Sequence, residues 1–203
     1  MSKTFWIAFF AKILQAVMII LGAFVVVPLA IPFGHYEKNF AGEDIYRLPF
    51  WALWCDNCFD GADGDNRGWW ARNCATDAWF GWFPNLKSTD YLARWWWLAF
   101  RNPTNYFGRM VIGIDASQCV LLWVKGDKTI TDKAGKNGFY LAKWQYKDMT
   151  FYSVEICIDW LDGTAFYAQF GYKVKPSKNY SQLTDITRFK SMTCEVNFKK
   201  DIS

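Results

Sequence analysis

The segment YSVEICIDWLDGTAFYAQFGYKVK, residues 152–175, decides the fold of this chain. Apolar side chains occupy every second position on both sides of the dipeptide Asp162-Gly163. This alternation is typical of a β-strand with one packed and one solvated face, and Asp-Gly between two such runs favours a hairpin turn. The predicted packed rows are Tyr152, Val154, Ile156, Ile158 and Trp160 in the first strand, and Phe166, Ala168, Phe170, Tyr172 and Val174 in the second. The predicted solvated face of the first strand carries Ser153, Glu155, Cys157 and Asp159.

Four further runs are predicted to be strands of the same sheet. They are MVIGI (110–114), CVLLWV (119–124), YLAKWQYK (140–147) and TCEVNF (193–198). The third run alternates most clearly, with Tyr140, Ala142 and Trp144 on one face. Because antiparallel sheets commonly keep one face in water, we expect residues 109–203 to form a mainly antiparallel sheet.

Residues 36–108 are rich in turns and aromatic side chains and predict one or two aromatic-rich helices. One covers part of 47–59, where Pro49 suits a first turn, and the other starts near residue 92. The second helix should stop at RNPTN (101–105), because the residue before a proline disfavours the helical conformation. The predicted fold class is therefore α+β. An N-terminal hydrophobic anchor helix (1–35) precedes a single aromatic-rich domain (36–203), whose helix-rich part is 36–108 and whose sheet is 109–203.

The run ILQAVMIILGAFVVVPLAIPF, residues 13–33, carries no charge and one glutamine. A helix of this length spans about 30 Å, which is the thickness of the hydrocarbon core of a bilayer. We therefore expect a transmembrane helix, with an arm buried in an oligomer, a buried core helix and a cleaved signal peptide as alternatives. Side chains that could lie at the membrane interface are Trp6, Lys12, Trp51 and Trp54.

Composition narrows the classes of function. The single histidine, His35, argues against a catalytic triad and against a metal site built from several histidines. A net charge of +4 without an arginine-rich run argues against a nucleic-acid partner. The six cysteines lack the second close pair of a structural zinc site, so free thiols are expected, with a Cys55–Cys58 disulfide as the alternative. We predict no catalytic residue and no cofactor.

The stretch DGADGDNRGWW, residues 60–70, does not match a helix–loop–helix calcium loop. Counted from Asp60, the sixth position is Asp65 instead of glycine and the twelfth is Ala71 instead of glutamate. Aspartate and glycine are also turn residues, so the stretch is interpreted as a structural turn. Asp60, Asp63 and Asp65 remain calcium candidates. An arginine, Arg67 or Arg101, is expected to pair with an aspartate, because a lone buried charge is costly. The predicted polar turns contain Asp60, Asp63, Asp65, Arg67, Arg101, Asn102, Pro103 and Asn105, next to Trp69 and Trp70.

Four features occur in an order that resembles a family of small proteins of tailed bacteriophages. They are an apolar, proline-bearing N-terminal run (25–33), a tryptophan-rich Asp-Gly stretch (51–70), the motif WLxxRNPxN (97–105) and a glycine-aromatic-lysine step that ends a strand (171–173). The resemblance covers residues 25–175 and implies a phage origin and one compact unit. It implies no activity.

These observations favour a non-enzymatic phage protein in the host cell membrane. It would present its β-rich domain to other phage or host envelope proteins, as an accessory in host-envelope interaction, assembly or lysis. The bilayer is an expected partner and a homo-oligomer is an open option. One alternative is a minor virion component for structure or genome delivery, with a buried apolar arm. A second is a metal-dependent hydrolase that uses Asp60, Asp63 and Asp65.

Overall fold

The N-terminal apolar run is one continuous helix in the computed structural model, which describes residues 2–64, 86–131, 137–183 and 185–201. It comprises α1 (Lys3–Leu21), a π-helical turn (Gly22–Val26), α2 (Val27–Ala30) and a 3-10 turn (Ile31–Phe33). The helix starts before the expected span at residue 13, because the apolar run TFWIAFF extends it toward the N-terminus. Antiparallel sheets and short helices follow, which confirms the α+β class.

The chain divides into two compact units. Met1–Lys12 and Ile112–Ser203 form the sheet unit, and Ile13–Val111 form the helical unit. The division expected from the sequence, into an anchor (1–35) and a single domain (36–203), stays a prediction.

The sheet unit is built on a five-stranded antiparallel sheet with strand order β4-β5-β6-β7-β9. These strands are β4 (Val120–Gly126), β5 (Gly138–Tyr146), β6 (Met149–Asp159), β7 (Thr164–Tyr172) and β9 (Met192–Asp201). A second, two-stranded pairing joins β3 (Ile114–Asp115) to β8 (Phe189–Lys190), and the short α4 (Asp185–Arg188) precedes β8. The hairpin at Asp162-Gly163 is confirmed, with Gly163 in the left-handed region at φ +80.

The packed face of β6 is the reverse of the predicted one. Glu155 and Cys157 are fully buried, whereas Ile158 is exposed. In the second predicted strand Ala168, Tyr172 and Val174 are buried as predicted, whereas Phe170 is exposed. The strand register explains the reversal, because it pairs Glu155 with Tyr140 and Trp144 with Phe151, so all four lie on one face. The core on this inner face is Phe5, Ala8, Ile114, Ala116, Ile130, Tyr140, Ala142, Trp144, Met149, Phe151, Cys157, Ala165, Tyr167, Tyr172, Val174, Tyr180 and Met192.

One predicted strand is wrong. MVIGI was expected to be extended, but Phe107–Val111 is a π-helical turn and β3 begins at Ile114. The apolar run is too short for its periodicity to distinguish a strand from a helical segment.

The helical unit packs short helices and a hairpin against the continuation of the N-terminal helix. The hairpin pairs β1 (His35–Lys38) with β2 (Asp44–Arg47). A 3-10 helix (Phe50–Cys55), α3 (Tyr91–Trp96) and a π-helical turn (Trp97–Arg101) follow. The predicted stop at RNPTN is confirmed, since Asn102 leaves the helical region before Pro103. The core consists of Val27, Ala30, Ile31, Leu48, Ala52, Cys55, Ala62, Trp97 and Leu98.

Candidate functional site

The most extensive feature of the helical unit is an uncovered apolar surface along residues 13–33. The helix Lys3–Phe33 has a mean hydropathy of 2.6 over its most apolar 18 residues, and 28% of that window is buried. By length and composition it is the one helix among the described residues that could cross a membrane. We define the helical apolar surface as its exposed large side chains: Ile13, Leu14, Val17, Ile20, Leu21, Phe24, Val25, Leu29 and Phe33.

The opposite side of this segment is fastened to the helical unit by hydrogen bonds to its polar atoms. Gln15, the lone polar side chain of the run, donates through Nε2 to the Thr104 carbonyl at 2.9 Å and to Thr104 Oγ1 at 2.8 Å. Trp95 Nε1 donates to the Ala23 carbonyl at 2.7 Å, beside the π-helical turn. Tyr91 donates to the Pro28 carbonyl at 2.9 Å. The segment therefore has one satisfied protein-facing side and one apolar side that no described residue covers.

A network of buried charges underlies the β1–β2 hairpin. Arg47 Nε donates to Glu37 Oε1 at 2.8 Å, and Nη1 donates to Asp56 Oδ2 at 3.2 Å and to the Asn57 carbonyl at 2.8 Å. Asp56 is fully buried and also accepts from the Leu48 amide at 2.9 Å. Burial raises the pKa of Asp56 to about 6, while Arg47 opposes this rise.

The same residues lie beside a cleft of about 430 Å³. Its lining is His35, Glu37, Lys38, Asn39, Phe40, Arg47, Leu48, Phe50, Leu53 and Tyr106. The guanidinium of Arg47 is already shared by two carboxylates and a carbonyl, so the cleft offers a balanced ionic network instead of an uncompensated charge.

The first predicted polar turn is partly described. Asp63 Oδ1 accepts from Arg94 Nε at 2.6 Å, and the Arg94 guanidinium stacks over the Tyr46 ring at 3.5 Å. Asp60 is buried, and its amide donates to Asn57 Oδ1 at 3.1 Å. The ionic partner of Asp63 is therefore Arg94, which lies 31 residues later in the chain and which the sequence analysis did not identify. Four residues of the prediction lie outside the described residues: Asp65, Arg67, Trp69 and Trp70.

The second polar turn ends the preceding helical segment and accepts a hydrogen bond from Cys58. The Asn102 amide donates to the Trp97 carbonyl at 2.8 Å, and Thr104 takes a positive φ of +47. Asn105 Oδ1 accepts from Cys58 Sγ at 3.1 Å. Pro103 is half-buried and Arg101 is exposed. These contacts hold the turn in place, and the architectural role expected for its residues stays a prediction.

The interface candidates differ in exposure. Trp6 and Trp51 are about half exposed. Trp54 is half-buried and packs against the core of the helical unit. Lys12 is half-buried in the sheet unit. Their location relative to a membrane stays a prediction.

The sheet unit has a second uncovered apolar surface, on the side of the sheet away from its core. The register aligns Leu141, Val154, Phe170 and Cys194 in one row and Phe139, Ile156, Ala168 and Val196 in the next. Ile158 pairs with Phe166, whose ring lies 5.6 Å from that of Phe198. We call these eleven side chains the outer sheet face. Six of them were predicted to be packed, namely Val154, Ile156, Ile158, Phe166, Ala168 and Phe170. The described residues leave this face partly exposed, with Ala168 buried among its neighbours.

The inner face instead buries a carboxylate. Glu155 is fully buried, and its Oε1 accepts from the Tyr167 hydroxyl and from Gln169 Nε2 at 3.2 Å. Lys175 Nζ lies 2.7 Å from the same oxygen. Burial and then the charge of Glu155 raise the pKa of Tyr140, its cross-strand partner. The burial of Glu155 follows from its pairing with Tyr140 on the neighbouring strand. The alternation within a single strand does not reveal this pairing.

The thiols and ionisable side chains of these clusters contribute to the structure through burial and hydrogen bonds. The described residues contain no group of three or more His, Cys, Asp or Glu side chains that could hold a metal ion. Burial raises the pKa of the Cys55 and Cys119 thiols to about 12, so both are poor nucleophiles at neutral pH. Cys55 and Cys58 are free, and no disulfide joins them. Among the described residues, the two exposed apolar surfaces are therefore the features from which a function can be proposed.

Comparisons with known proteins identify a family. No curated protein and no solved structure matches this chain. The DUF7338 family model matches residues 1–202. The chain therefore belongs to DUF7338, a family of unknown function.

Proposed function

We propose that this chain is a non-enzymatic protein that anchors in a lipid bilayer through residues 13–33. The observation that carries the proposal is the helical apolar surface, where nine large apolar side chains face away from the protein. Exposed patches of this extent are rare on soluble monomers and mark contact with a membrane or a partner. The single polar side chain of the segment, Gln15, is satisfied within the protein, as a hydrocarbon environment requires.

The sequence resemblance adds a phage context to this proposal. In that context the chain resides in the host cell membrane and presents the rest of its structure to envelope or phage proteins. The helical unit holds the segment by hydrogen bonds. Trp95 and Tyr91 donate to backbone carbonyls of the segment, and Gln15 of the segment donates to the Thr104 carbonyl.

Carbonate extraction of membranes from infected cells, analysed beside washed virions, tests the proposal. We expect the chain in the carbonate-resistant pellet and not in particles. The double substitution Val17→Lys/Ile20→Lys should release it, since one lysine at the centre of a spanning helix costs about 3 kcal/mol. Ser181→Lys/Gln182→Lys adds the same two charges at exposed positions of the sheet unit and should leave the chain in the pellet.

Two results would overturn the anchor. Complete extraction of the wild-type chain by carbonate would show that the segment does not enter the bilayer. Stoichiometric signal in washed particles would make the segment an arm buried in a virion assembly.

A further inference from the structure

We propose that the outer sheet face binds the outer sheet face of a second copy of this chain, in a two-fold symmetric dimer. The proposal rests on the sheet unit alone and does not require the membrane anchor. Its basis is the size, relief and charge of this face.

The exposed apolar area is large enough to require a partner. Phe139, Phe170 and Phe198 have exposed fractions of 52%, 37% and 75%, which leave about 330 Å² in water at about 200 Å² per side chain. The exposed parts of Ile158 and Val196 bring the patch above about 400 Å², beyond which an apolar patch marks a binding site. Burying such a patch on two copies removes on the order of 1,000 Å² from water, which is the size at which specific interfaces begin.

The relief of the face suits packing against itself. Ala168 is the smallest member and lies in the middle of β7, between Phe166 and Phe170 along the strand. Across the sheet it is flanked by Ile156 and Val196, so the face has a hollow at its centre. Phe198 is the most exposed side chain of the face. With a two-fold axis parallel to the strands, the β7 and β9 side of each copy, which carries Phe198, lies over the β4 and β5 side of the other, so the interface is isologous.

The charges of the face lie at one side. The register places Lys125 opposite Leu141 and Lys143 opposite Tyr152, near the β4 edge. The β7 and β9 rows that we describe contain no charged side chain on this face. With the axis parallel to the strands, the lysine side of each copy lies over the uncharged side of the other. The result is an apolar centre with a charged rim, which is the usual anatomy of an interface.

A bilayer fits this face less well than a second sheet. The sheet is open, with β4 and β9 as its edges. Open edges expose backbone groups that hydrocarbon leaves without hydrogen-bond partners. Two sheets packed face to face, about 10 Å apart and within about 30° of parallel, bury the apolar rows and leave both edges in water.

The test is the mass of the full-length protein, measured by light scattering after size-exclusion chromatography in mild detergent. We expect twice the 23.7 kDa of one chain. Phe170→Glu should yield monomer and raise the dissociation constant about 100-fold or more, because it would bury a carboxylate among the apolar side chains of the interface. Phe50→Glu, at an exposed phenylalanine of the helical unit, should leave the dimer intact.

A second variant guards against misfolding. Phe139→Ser/Phe198→Ser removes two side chains that the monomer leaves mostly in water, so its far-UV circular dichroism should match that of the wild type while the dimer weakens. A wild-type chain that is monomeric across a dilution series would overturn the proposal. So would a dimer that survives both sets of outer-face substitutions. A monomer whose outer face is quenched by brominated lipids would assign the face to a bilayer instead.

The two proposals fail in different ways. If the anchor is wrong, carbonate extracts the wild-type chain, yet the dimer mass remains. If the dimer is wrong, Phe170→Glu changes no mass, yet the chain stays in the membrane pellet.

Discussion

Replacing Arg47 by methionine tests whether buried charge holds the helical unit together. Arg47 is 5% exposed and its guanidinium contacts Glu37, Asp56 and the Asn57 carbonyl. Methionine fills much of the same space, so the main loss is the charge. Because Asp56 is fully buried, the substitution leaves a carboxylate without its ionic partner. We expect the free energy of unfolding to fall by about 3–5 kcal/mol.

The matched control lies in the same hairpin. Lys38 Nζ pairs with Asp44 Oδ2 at 2.7 Å, but both side chains are exposed, at 63% and 68%. Lys38→Met should therefore cost about 0–1 kcal/mol, since water and salt screen the pair. Urea unfolding of the full-length protein, followed by tryptophan fluorescence, compares the midpoints of both variants with the wild type at an unchanged slope.

The pH dependence of the Arg47 effect sharpens the test. Burial raises the pKa of Asp56 to about 6 even with Arg47 present, and loss of the cation raises it further. A carboxyl whose folded pKa exceeds its unfolded value binds protons more tightly when folded. The unfavourable contribution is therefore absent below the unfolded pKa, grows as pH rises between the unfolded and the folded pKa, and is complete above the folded pKa. The difference between Arg47→Met and wild type should be largest above the folded pKa of the variant and should shrink as pH falls toward about 6, the folded pKa of Asp56 in the wild type. Equal effects of Arg47→Met and Lys38→Met, or a difference that grows in acid, would refute the reasoning.

Two further predictions concern backbone geometry and thiol access. Gly171→Ala should destabilise the protein far more than Gly42→Ala, with both measured by urea midpoint. Both glycines have positive φ, but a Cβ at Gly171 would lie 2.0 Å from the Tyr152 carbonyl oxygen, whereas one at Gly42 meets nothing within 4 Å. Equal costs would contradict the strand register. A thiol reagent followed by peptide mass mapping should label exposed Cys194 in a folded monomer such as Phe170→Glu, and Cys55 only after unfolding, because burial raises the pKa of the Cys55 thiol to about 12. Labelling at equal rates would contradict that burial.

Sequence patterns were sufficient for the elements of the sheet and insufficient for its faces. Alternation predicted β5, β6 and β7, and Asp162-Gly163 predicted the turn between two of them. The predicted packed face of β6 was wrong because each strand was considered alone and its more apolar side was taken as packed. The register with Tyr140 and Trp144 shows that the aromatic volume of β5 lies on the side of Glu155.

The ionic partners of the helical unit were beyond the sequence for a different reason. A paired arginine was expected for the Asp-Gly stretch, with Arg67 and Arg101 as the candidates. The structure pairs Asp63 with Arg94 and Asp56 with Arg47, while Arg67 and Asp65 lie outside the described residues, so the expected pairing of Arg67 or Arg101 stays a prediction. These pairs join a loop to α3 and a strand to a turn, so they depend on how the elements pack. No local spacing encodes such contacts, whereas the helix stop at Pro103 is local and was correct.

The location of charge and apolar surface connects both proposals. Glu155 and Asp56 are fully buried, although carboxylates rarely are unless they are paired, and here Lys175 and Arg47 pair with them. Meanwhile large apolar side chains remain exposed on the helix and on the sheet. Because the buried charged side chains are paired within the protein, the exposed apolar faces are free to contact other molecules. The lone glutamine of the helix is satisfied by the protein itself, and the lysines of the sheet lie at one side of its outer face. These features support the two proposals, in which the first surface is buried in hydrocarbon and the second against another copy of the chain.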